Sequence, residues 1–256
     1  MNERPSEEIS ELRQTHTRRA IAGRLGSGPR HSYVKDFIYG AVDGAVTTFA
    51  VVSGVAGAQL SSGIIIVLGA ANLIADGFSM AVSNFLGTKA ERQLRERKRL
   101  EEQSHIRMVP EGEREEIRQI FSKKGFVGED LERVVEVITS DEGRWVDTMV
   151  QEEHGISLSG PEAWKCGAVT FGAFVVIGLV PLLPFLSNLV GFTVIGDPFA
   201  ASVVMTAIAF FVVGALKGRY VGQKPAIAGL ETTLIGGGAA ALAYVIGRAL
   251  RGLAGV

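Results

Sequence analysis

The chain contains little cysteine and little histidine, and both shortages narrow the range of functions. Its single cysteine, Cys166, cannot form a disulfide within the chain, so we expect it to have a packing role. Among the four histidines, only His105 belongs to a Glu-x-x-His element, which begins at Glu102. Carboxylate-bridged di-iron bundles need two such elements. One chain alone therefore does not supply the sequence pattern of a di-iron enzyme.

The N-terminal region lacks the hydrophobic stretch of a secretory signal peptide, since no apolar segment precedes Phe37. We therefore expect the first apolar segment itself to direct membrane insertion. The acidic residues among the first eleven positions argue against a mitochondrial transit peptide. The formal net charge of −1 averages over regions of very different polarity and gives no indication of a nucleic-acid partner.

Long apolar segments are abundant. About 20 apolar residues cross about 30 Å of hydrocarbon at about 1.5 Å per residue. Segments of about this length occur at 37–58, 63–86, 167–187, 199–216 and 226–247. Charged residues concentrate instead in 1–35 and 89–165. The sequence therefore predicts an all-α, polytopic membrane protein with five transmembrane helices in a lipid bilayer.

Basic residues predict the orientation of these spans. The predicted loops 59–62 and 188–198 contain no Lys or Arg, whereas the N-terminal flank, the start of the hydrophilic insert and the loop 217–224 are rich in them. Basic residues near span ends mark the cytoplasmic side. The predicted domains are a cytoplasmic arm (1–35), spans one and two (36–88), a cytoplasmic helical insert (89–162), spans three to five (163–250) and a tail (251–256).

Two carboxylates lie inside the first two apolar segments, Asp43 in the first and Asp76 in the second. A charge at the bilayer centre costs about 3 kcal/mol on the insertion scale, so such residues usually face a polar pathway or a partner. Helical spacing places further residues on the same faces, namely Asp36, Gly40 and Thr47 with Asp43, and Asn72, Met80 and Asn84 with Asp76. This pattern indicates a pathway for a charged species.

Other interpretations of these residues remain open. Asp43 is also consistent with a structural carboxylate hydrogen-bonded to Thr47 or Ser53. Gly40 and Gly44 form a G-x-x-x-G pattern that permits close helix approach, and this pattern would suit a dimer seam beside Asp43.

The insert is predicted to be helical and to bind metal. Span two is expected to continue without a break to Gln103, and a new helix to start after the break at Pro110. Further helices are expected at 111–123, 129–139 and 142–154. Three pairs share a helix face, Glu102 with His105, Glu113 with Glu116, and Met149 with Glu153. Such donors suit Fe²⁺, Mn²⁺, Co²⁺ or Zn²⁺, although acidic helix faces are more often simply solvated.

Several motifs occur together in one order along the chain. They are DGAVTTFAVVSG at 43–54, DGFSMAVSNFLGTKAE at 76–91, the break at Pro110, WVDTMVQEE at 145–153, PLLPF at 181–185 and ETTLIGG at 231–237. Together they resemble the vacuolar iron transporter family over about residues 33–247. The resemblance implies a homodimer of five-helix subunits with a cytoplasmic metal-binding domain. It also implies export of Fe²⁺, or of Mn²⁺, from the cytosol in exchange for protons, with no prosthetic group.

The resemblance also assigns residues. The family's transport residues fall on Asp43 and Met80, and its cytoplasmic metal ligands on Glu102, Glu113, Glu116, Met149 and Glu153. His105 stands where better-known members have a glutamate, and Asn72 stands where some members have one, while Asp76 lies one turn further on. The expected pathway therefore comprises Asp36, Asp43, Asn72, Asp76 and Met80. The membrane would be a bacterial inner membrane, or a vacuolar membrane in a eukaryote.

Two alternatives belong to other classes. A homodimer would supply two Glu-x-x-His elements by symmetry, which leaves a membrane-bound di-iron oxidase or ferroxidase as the main alternative to a transporter. A purely structural anchor or receptor would not need carboxylates at bilayer depth.

Overall fold

The structure is a computed structural model that describes residue 9 and residues 12–26, 31–192 and 195–252. These residues form helices and connecting segments, and no β-strand occurs among them. The chain divides into two compact units, residues 1–32 and 33–256. The first unit contains helix α1 (Arg18–Gly26). Parts of the predicted N-terminal arm and most of the predicted tail lie outside the described residues.

The second unit contains the remaining helices. In chain order they are α2 (Val34–Gly57), α3 (Ser62–Met108), α4 (Pro110–Lys123), α5 (Gly128–Thr139), α6 (Glu142–Glu152), α7 (Ala163–Gly178), α8 (Leu183–Leu189), α9 (Pro198–Tyr220) and α10 (Pro225–Leu250). Proline opens α4, α9 and α10, where its fixed φ favours a helix and its missing N–H costs nothing. The predicted restart at Pro110 is confirmed.

Five helical segments in the described part of the chain are long and apolar enough to cross a membrane. They are Val34–Gly57, Ser62–Met108, Ala163–Leu189, Pro198–Tyr220 and Pro225–Leu250. The prediction of an all-helical chain with five helices of transmembrane length is therefore confirmed. In the third of them a 3₁₀ turn, Val180–Leu182, joins α7 to α8, and this turn contains Pro181.

Helix α2 lies at the centre of the membrane region and packs against α7, α10, α3 and α9. A side chain at Gly40 would overlap the backbone of Thr170, and one at Gly44 would overlap the backbone of Phe174. These glycines therefore bring α2 and α7 of the same chain into close contact. The alternative that the G-x-x-x-G pattern forms a dimer seam is wrong, because α7 already covers this face.

Helix α3 connects the membrane region to the helical insert. It is 47 residues long, which at about 1.5 Å per residue gives about 70 Å, more than twice the hydrocarbon thickness. Its C-terminal part packs against α6, where Arg99 forms an ion pair with Asp147 and Arg107 lies 2.8 Å from Glu142. The insert has a small apolar core of Ile106, Ile117, Val135, Ile138, Trp145, Val146, Met149 and Val150.

Candidate metal centre and membrane carboxylates

Three helices bring acidic side chains and imidazoles together in the insert. Glu102 and His105 lie one turn apart on α3, and Glu113 lies in the first turn of α4. Acidic residues are favoured in the first helical turn because the N-terminal end of the helix dipole is positive. Glu153 and His154 follow directly on the last turn of α6. The breaks after Met108 and after Glu152 therefore position the donors around the buried end of Glu102.

The first group of donors consists of Glu102, His105 and Glu113, whose ligand atoms all lie within 4.8 Å of one another. His105 Nδ1 is 3.5 Å from Glu113 Oε1. Glu102 and Glu113 are buried, whereas the imidazole of His105 is partly exposed. Solvent can therefore reach this group from the side of His105.

The second group consists of Glu102, Glu153 and His154, again with all ligand atoms within 4.8 Å. His154 Nε2 lies 2.8 Å from Glu102 Oε1 and 3.8 Å from Glu153 Oε2. Glu102 thus belongs to both groups, and each group contains two carboxylates and one imidazole.

Two carboxylate oxygens of this cluster lack a partner. Glu102 is 1% exposed and Glu113 is 6% exposed, and in the described part of the chain nothing donates a hydrogen bond to Oε2 of either residue. A buried ionised oxygen without a donor is strongly destabilising. A bound cation would satisfy both oxygens, so the arrangement has the chemistry of a divalent-metal site.

The charges of the cluster repel one another. Burial raises the pKa of Glu113 to about 7, and the negative charges of Glu116 and Glu102 contribute to this rise. Burial likewise raises the pKa of Glu153, with further contributions from Glu102 and Glu116. A cation placed among these groups would reverse the electrostatic cost, because it favours the ionised form of every carboxylate.

The other two predicted ligands have different surroundings. Glu116 is exposed on α4 and is near enough to Glu113 and Glu153 to influence both electrostatically. Met149 is fully buried in the apolar core of the insert. The structure therefore clusters Glu102, His105, Glu113 and Glu153 directly, whereas Met149 contributes to packing in this state.

Sequence reasoning missed His154 as a member of the cluster. Its pairing with Glu102 joins residues that are 52 positions apart, and helical periodicity does not predict a contact over this distance along the chain. The only signal in the sequence was that one of the few histidines directly follows a predicted ligand, Glu153.

In the membrane region, Asp36 is held by hydrogen bonds. It is buried, and its Oδ1 accepts from Asn84 Nδ2 at 2.8 Å. The same amide lies 2.8 Å from Thr170 Oγ1. This contact joins α2, α3 and α7. Asp36 and Asn84 therefore stabilise helix packing at the N-terminal end of α2.

Asp43 and Asp76 are less enclosed than Asp36. Asp43 is partly buried, Asp76 is exposed, and the two carboxylates are close enough to interact electrostatically. Thr47 donates to the backbone carbonyl of Asp43 at 2.8 Å and not to its carboxylate, and it accepts a 3.4 Å contact from Asn72. Thr47 therefore does not engage the carboxylate of Asp43, which can contribute to a ligand site.

Met80 is partly buried against the apolar core of the membrane region. It lies one helical turn beyond Asp76 on α3, and Asn72 lies one turn before Asp76. The polar stripe expected on this helix therefore follows a continuous α-helical segment from Asn72 to Asn84.

The profile of the VIT family matches residues 34–248, which is most of the chain. The chain belongs to the VIT family. Family membership and five apolar helices together identify a multi-pass membrane protein. Membership of this transporter family does not favour the alternative of a di-iron oxidase.

Sequence similarity to curated relatives covers most of the chain as well. The chain is 33% identical to vacuolar iron transporter 1 of Arabidopsis thaliana over 219 residues, which cover 85% of this chain and 86% of the relative. It is 32% identical to a vacuolar iron transporter of Toxoplasma gondii over 225 residues, covering 86% and 74% respectively. A vacuolar iron transporter of Plasmodium falciparum is 29% identical over 234 residues, covering 88% and 86%.

Proposed function

We propose that this chain exports divalent transition-metal ions, Fe²⁺ first and Mn²⁺ second, from the cytosol in exchange for protons. The observation that carries the proposal is the pair of buried, unpartnered carboxylate oxygens of Glu102 and Glu113 beside two imidazoles. Membership of the VIT family and the names of the relatives support iron as the cargo.

The metal would first be collected at the insert. The proposed ligands are Glu102, His105, Glu113, Glu116, Met149 and Glu153. Because α3 continues without a break from this cluster into the membrane region, one rigid helix carries both the collecting residues and Asp76 with Met80. Movement of α3 would therefore couple metal capture to the membrane pathway.

The metal would then pass Asp43, Asp76, Asn72 and Met80, with Asp36 near the cytoplasmic entrance. The carboxylates replace part of the cation's hydration shell, and the thioether of Met80 favours transition metals over Mg²⁺ and Ca²⁺. Protons and metal ions compete for the same carboxylate oxygens, so protonation on the far side would release the cargo.

A homodimer fits the exposure of Asp76. In one subunit this carboxylate is exposed at a depth where lipid would surround it, and lipid is a poor environment for a charge. A second copy facing α3 would shield it and enclose a polar pathway. The basic residues of the insert and of the loop 217–224 support a cytoplasmic location for the insert and the N-terminus.

Flux in proteoliposomes tests the proposal. Fe²⁺ or Mn²⁺ flux from the insert-facing side is measured at a fixed metal gradient while only the pH of the opposite side is varied, and a dye reports proton counterflow. We expect faster flux when the opposite side is acidic, and background flux in protein-free vesicles. Flux that is independent of this pH, without proton counterflow, would indicate a channel or uniporter.

The same preparation separates transport from oxidase chemistry. An iron-loaded di-iron oxidase exposed to O₂ forms an oxo-bridged ferric pair with a characteristic optical and Mössbauer spectrum. We expect the protein to bind Fe²⁺ without this species. Its formation on the timescale of turnover would favour the ferroxidase.

A further inference from the structure

The candidate metal centre of the insert contains two imidazoles, one in each group of donors. His105 lies on α3 and His154 follows α6, yet both point to the region around Glu102. We propose that both histidines are direct nitrogen ligands and that they make this centre prefer Fe²⁺, Ni²⁺ and Zn²⁺ over Mn²⁺ and Mg²⁺. The inference rests on the proposed function, since it concerns the selectivity of the same collecting site.

The geometry is close to that of a bound ion. Nitrogen and oxygen ligands bind a divalent transition metal at about 2.0–2.2 Å, so two ligands of one ion are separated by at most about 4.4 Å. The ligand atoms in each group lie within 4.8 Å of one another. Each group is therefore compact enough for its side chains to close around one ion after a modest rearrangement.

The surroundings of His154 favour coordination over a surface role. Its side chain is only 16% exposed, and Nε2 is the ring atom that faces both Glu102 and Glu153. Glu102 also keeps Oε2 buried and unpartnered, so its hydrogen bond with His154 leaves the carboxylate half satisfied. A cation between these residues would use both the imidazole nitrogen and the free oxygen.

Nitrogen donors change which metals a site accepts. Carboxylate oxygens alone suit Mg²⁺, Ca²⁺ and Mn²⁺, whereas imidazole suits Fe²⁺, Ni²⁺, Cu²⁺ and Zn²⁺. One imidazole in each group would therefore lower occupancy by Mg²⁺ and disfavour Mn²⁺. The imidazoles would thus discriminate between divalent cations, which the carboxylates alone do not do.

X-ray absorption of the full-length protein in detergent, loaded with Zn²⁺, tests this assignment. Imidazole ligands produce a multiple-scattering pattern that carboxylates do not. We expect the pattern in the unmodified protein, a weaker one in His105→Gln and in His154→Gln, and none in the double variant. The matched control is His31→Gln, which removes an exposed histidine outside the insert and should leave the spectrum unchanged.

Competition between metals gives a second measurement. The ratio of Zn²⁺ to Mn²⁺ affinity should fall at least about tenfold for each histidine removed, a magnitude typical of changes next to a metal. His105→Glu keeps a donor at this position, so a fall in the ratio with retained Mn²⁺ binding would isolate the effect of nitrogen from any loss of folding.

The outcomes are distinguishable. An unchanged imidazole pattern in the double variant, with Zn²⁺ still bound, would overturn the histidine assignment and leave the transport proposal intact. Zn²⁺ that stays bound equally well after removal of Glu102 and Glu113 would overturn both, because the metal would then lie elsewhere.

Discussion

Buried acidic residues occur both in the membrane region and in the insert, but their surroundings differ. Asp36 accepts a 2.8 Å hydrogen bond from Asn84 at a three-helix contact. Glu102 and Glu113 are at least as buried, yet each leaves one oxygen unpartnered in the described part of the chain. A satisfied carboxylate stabilises packing, whereas an unsatisfied one is costly until a cation binds. Burial by itself therefore does not indicate a ligand, and the proposed metal site rests on buried carboxylate oxygens that lack a partner beside imidazoles.

Asp43 and Asp76 are intermediate between these two cases. They are less buried than Glu102 and interact electrostatically from α2 and α3, and the amide that holds Asp36 does not hold them. Under the proposed function, this arrangement suits transient binding of a moving ion better than permanent storage. Under the proposed function, Asp36 lies at the entrance and also stabilises helix packing, Asp43 and Asp76 line the passage, and the insert captures the metal.

The largest effect is expected for Asp43→Asn. The substitution keeps the size of the side chain and removes the charge that replaces cation hydration, so Fe²⁺ flux in proteoliposomes should fall to the level of protein-free vesicles. The matched control is Asp130→Asn, an exposed aspartate in the first turn of α5, which should transport normally. Undiminished flux in the Asp43 variant would remove Asp43 from the pathway.

Removal of the capture site should slow transport without stopping it, because the membrane pathway remains. The test variant carries Gln at Glu102, Glu113, Glu116 and Glu153. The control variant carries the same four charge changes at the exposed positions Glu96, Glu111, Glu129 and Glu136. Calorimetry should show lost metal binding only in the test variant, and flux should fall by about tenfold or more at low metal concentration. Equal binding by both variants would mean that the acidic cluster is merely solvated.

Gly44→Ala tests the packing of α2 against α7 without changing any charge. The added methyl group would overlap the backbone of Phe174, so we expect a loss of about 3 kcal/mol, the upper part of the range for overpacking. Gly172→Ala is the matched control on the facing helix, because no atom lies near its added methyl group. Thermal unfolding in detergent measures both, and equal stability would show that α2 and α7 are not tightly packed.

The smallest effect concerns pH. Burial raises the pKa of Glu113 from 4.5 to about 7, so the folded state holds this proton more tightly than the unfolded state does. The resulting stabilisation is complete below about pH 4.5 and is lost as pH rises through about 7, with a total of no more than about 2.5 kcal/mol between pH 5 and pH 8. Thermal unfolding of metal-free protein should show this decline.

Two substitutions locate the origin of that decline. Glu113→Gln should flatten it, and Glu111→Gln, an exposed residue on the same helix turn, should not. A decline of equal size in the Glu113 variant would assign the titration to another group.

The membrane helices and the helical insert were predictable because their signals are local. Segment length and hydropathy identify spans, and a proline at the first turn identifies the start of α4. The pairing of Glu102 with His105 was predictable for the same reason, since one helical turn separates them.

Contacts between distant segments were not predictable in this way. Asn84 of α3 meets Asp36 of α2, and His154 meets Glu102, because particular helix faces pack together. The close contacts of Gly40 and Gly44 within one chain also depend on the position of α7.

The sequence alone determined that the chain is all-helical, that five of its segments can cross a membrane, and that acidic residues recur on particular helix faces. These properties follow from composition and from the 3.6-residue period of the helix. Only the tertiary structure decided that Asp36 is hydrogen-bonded, that Glu102 and Glu113 are not fully satisfied, and that His154 joins their cluster. The physical reason is that burial and hydrogen bonding depend on which surfaces meet, and periodicity along one helix does not specify its neighbours.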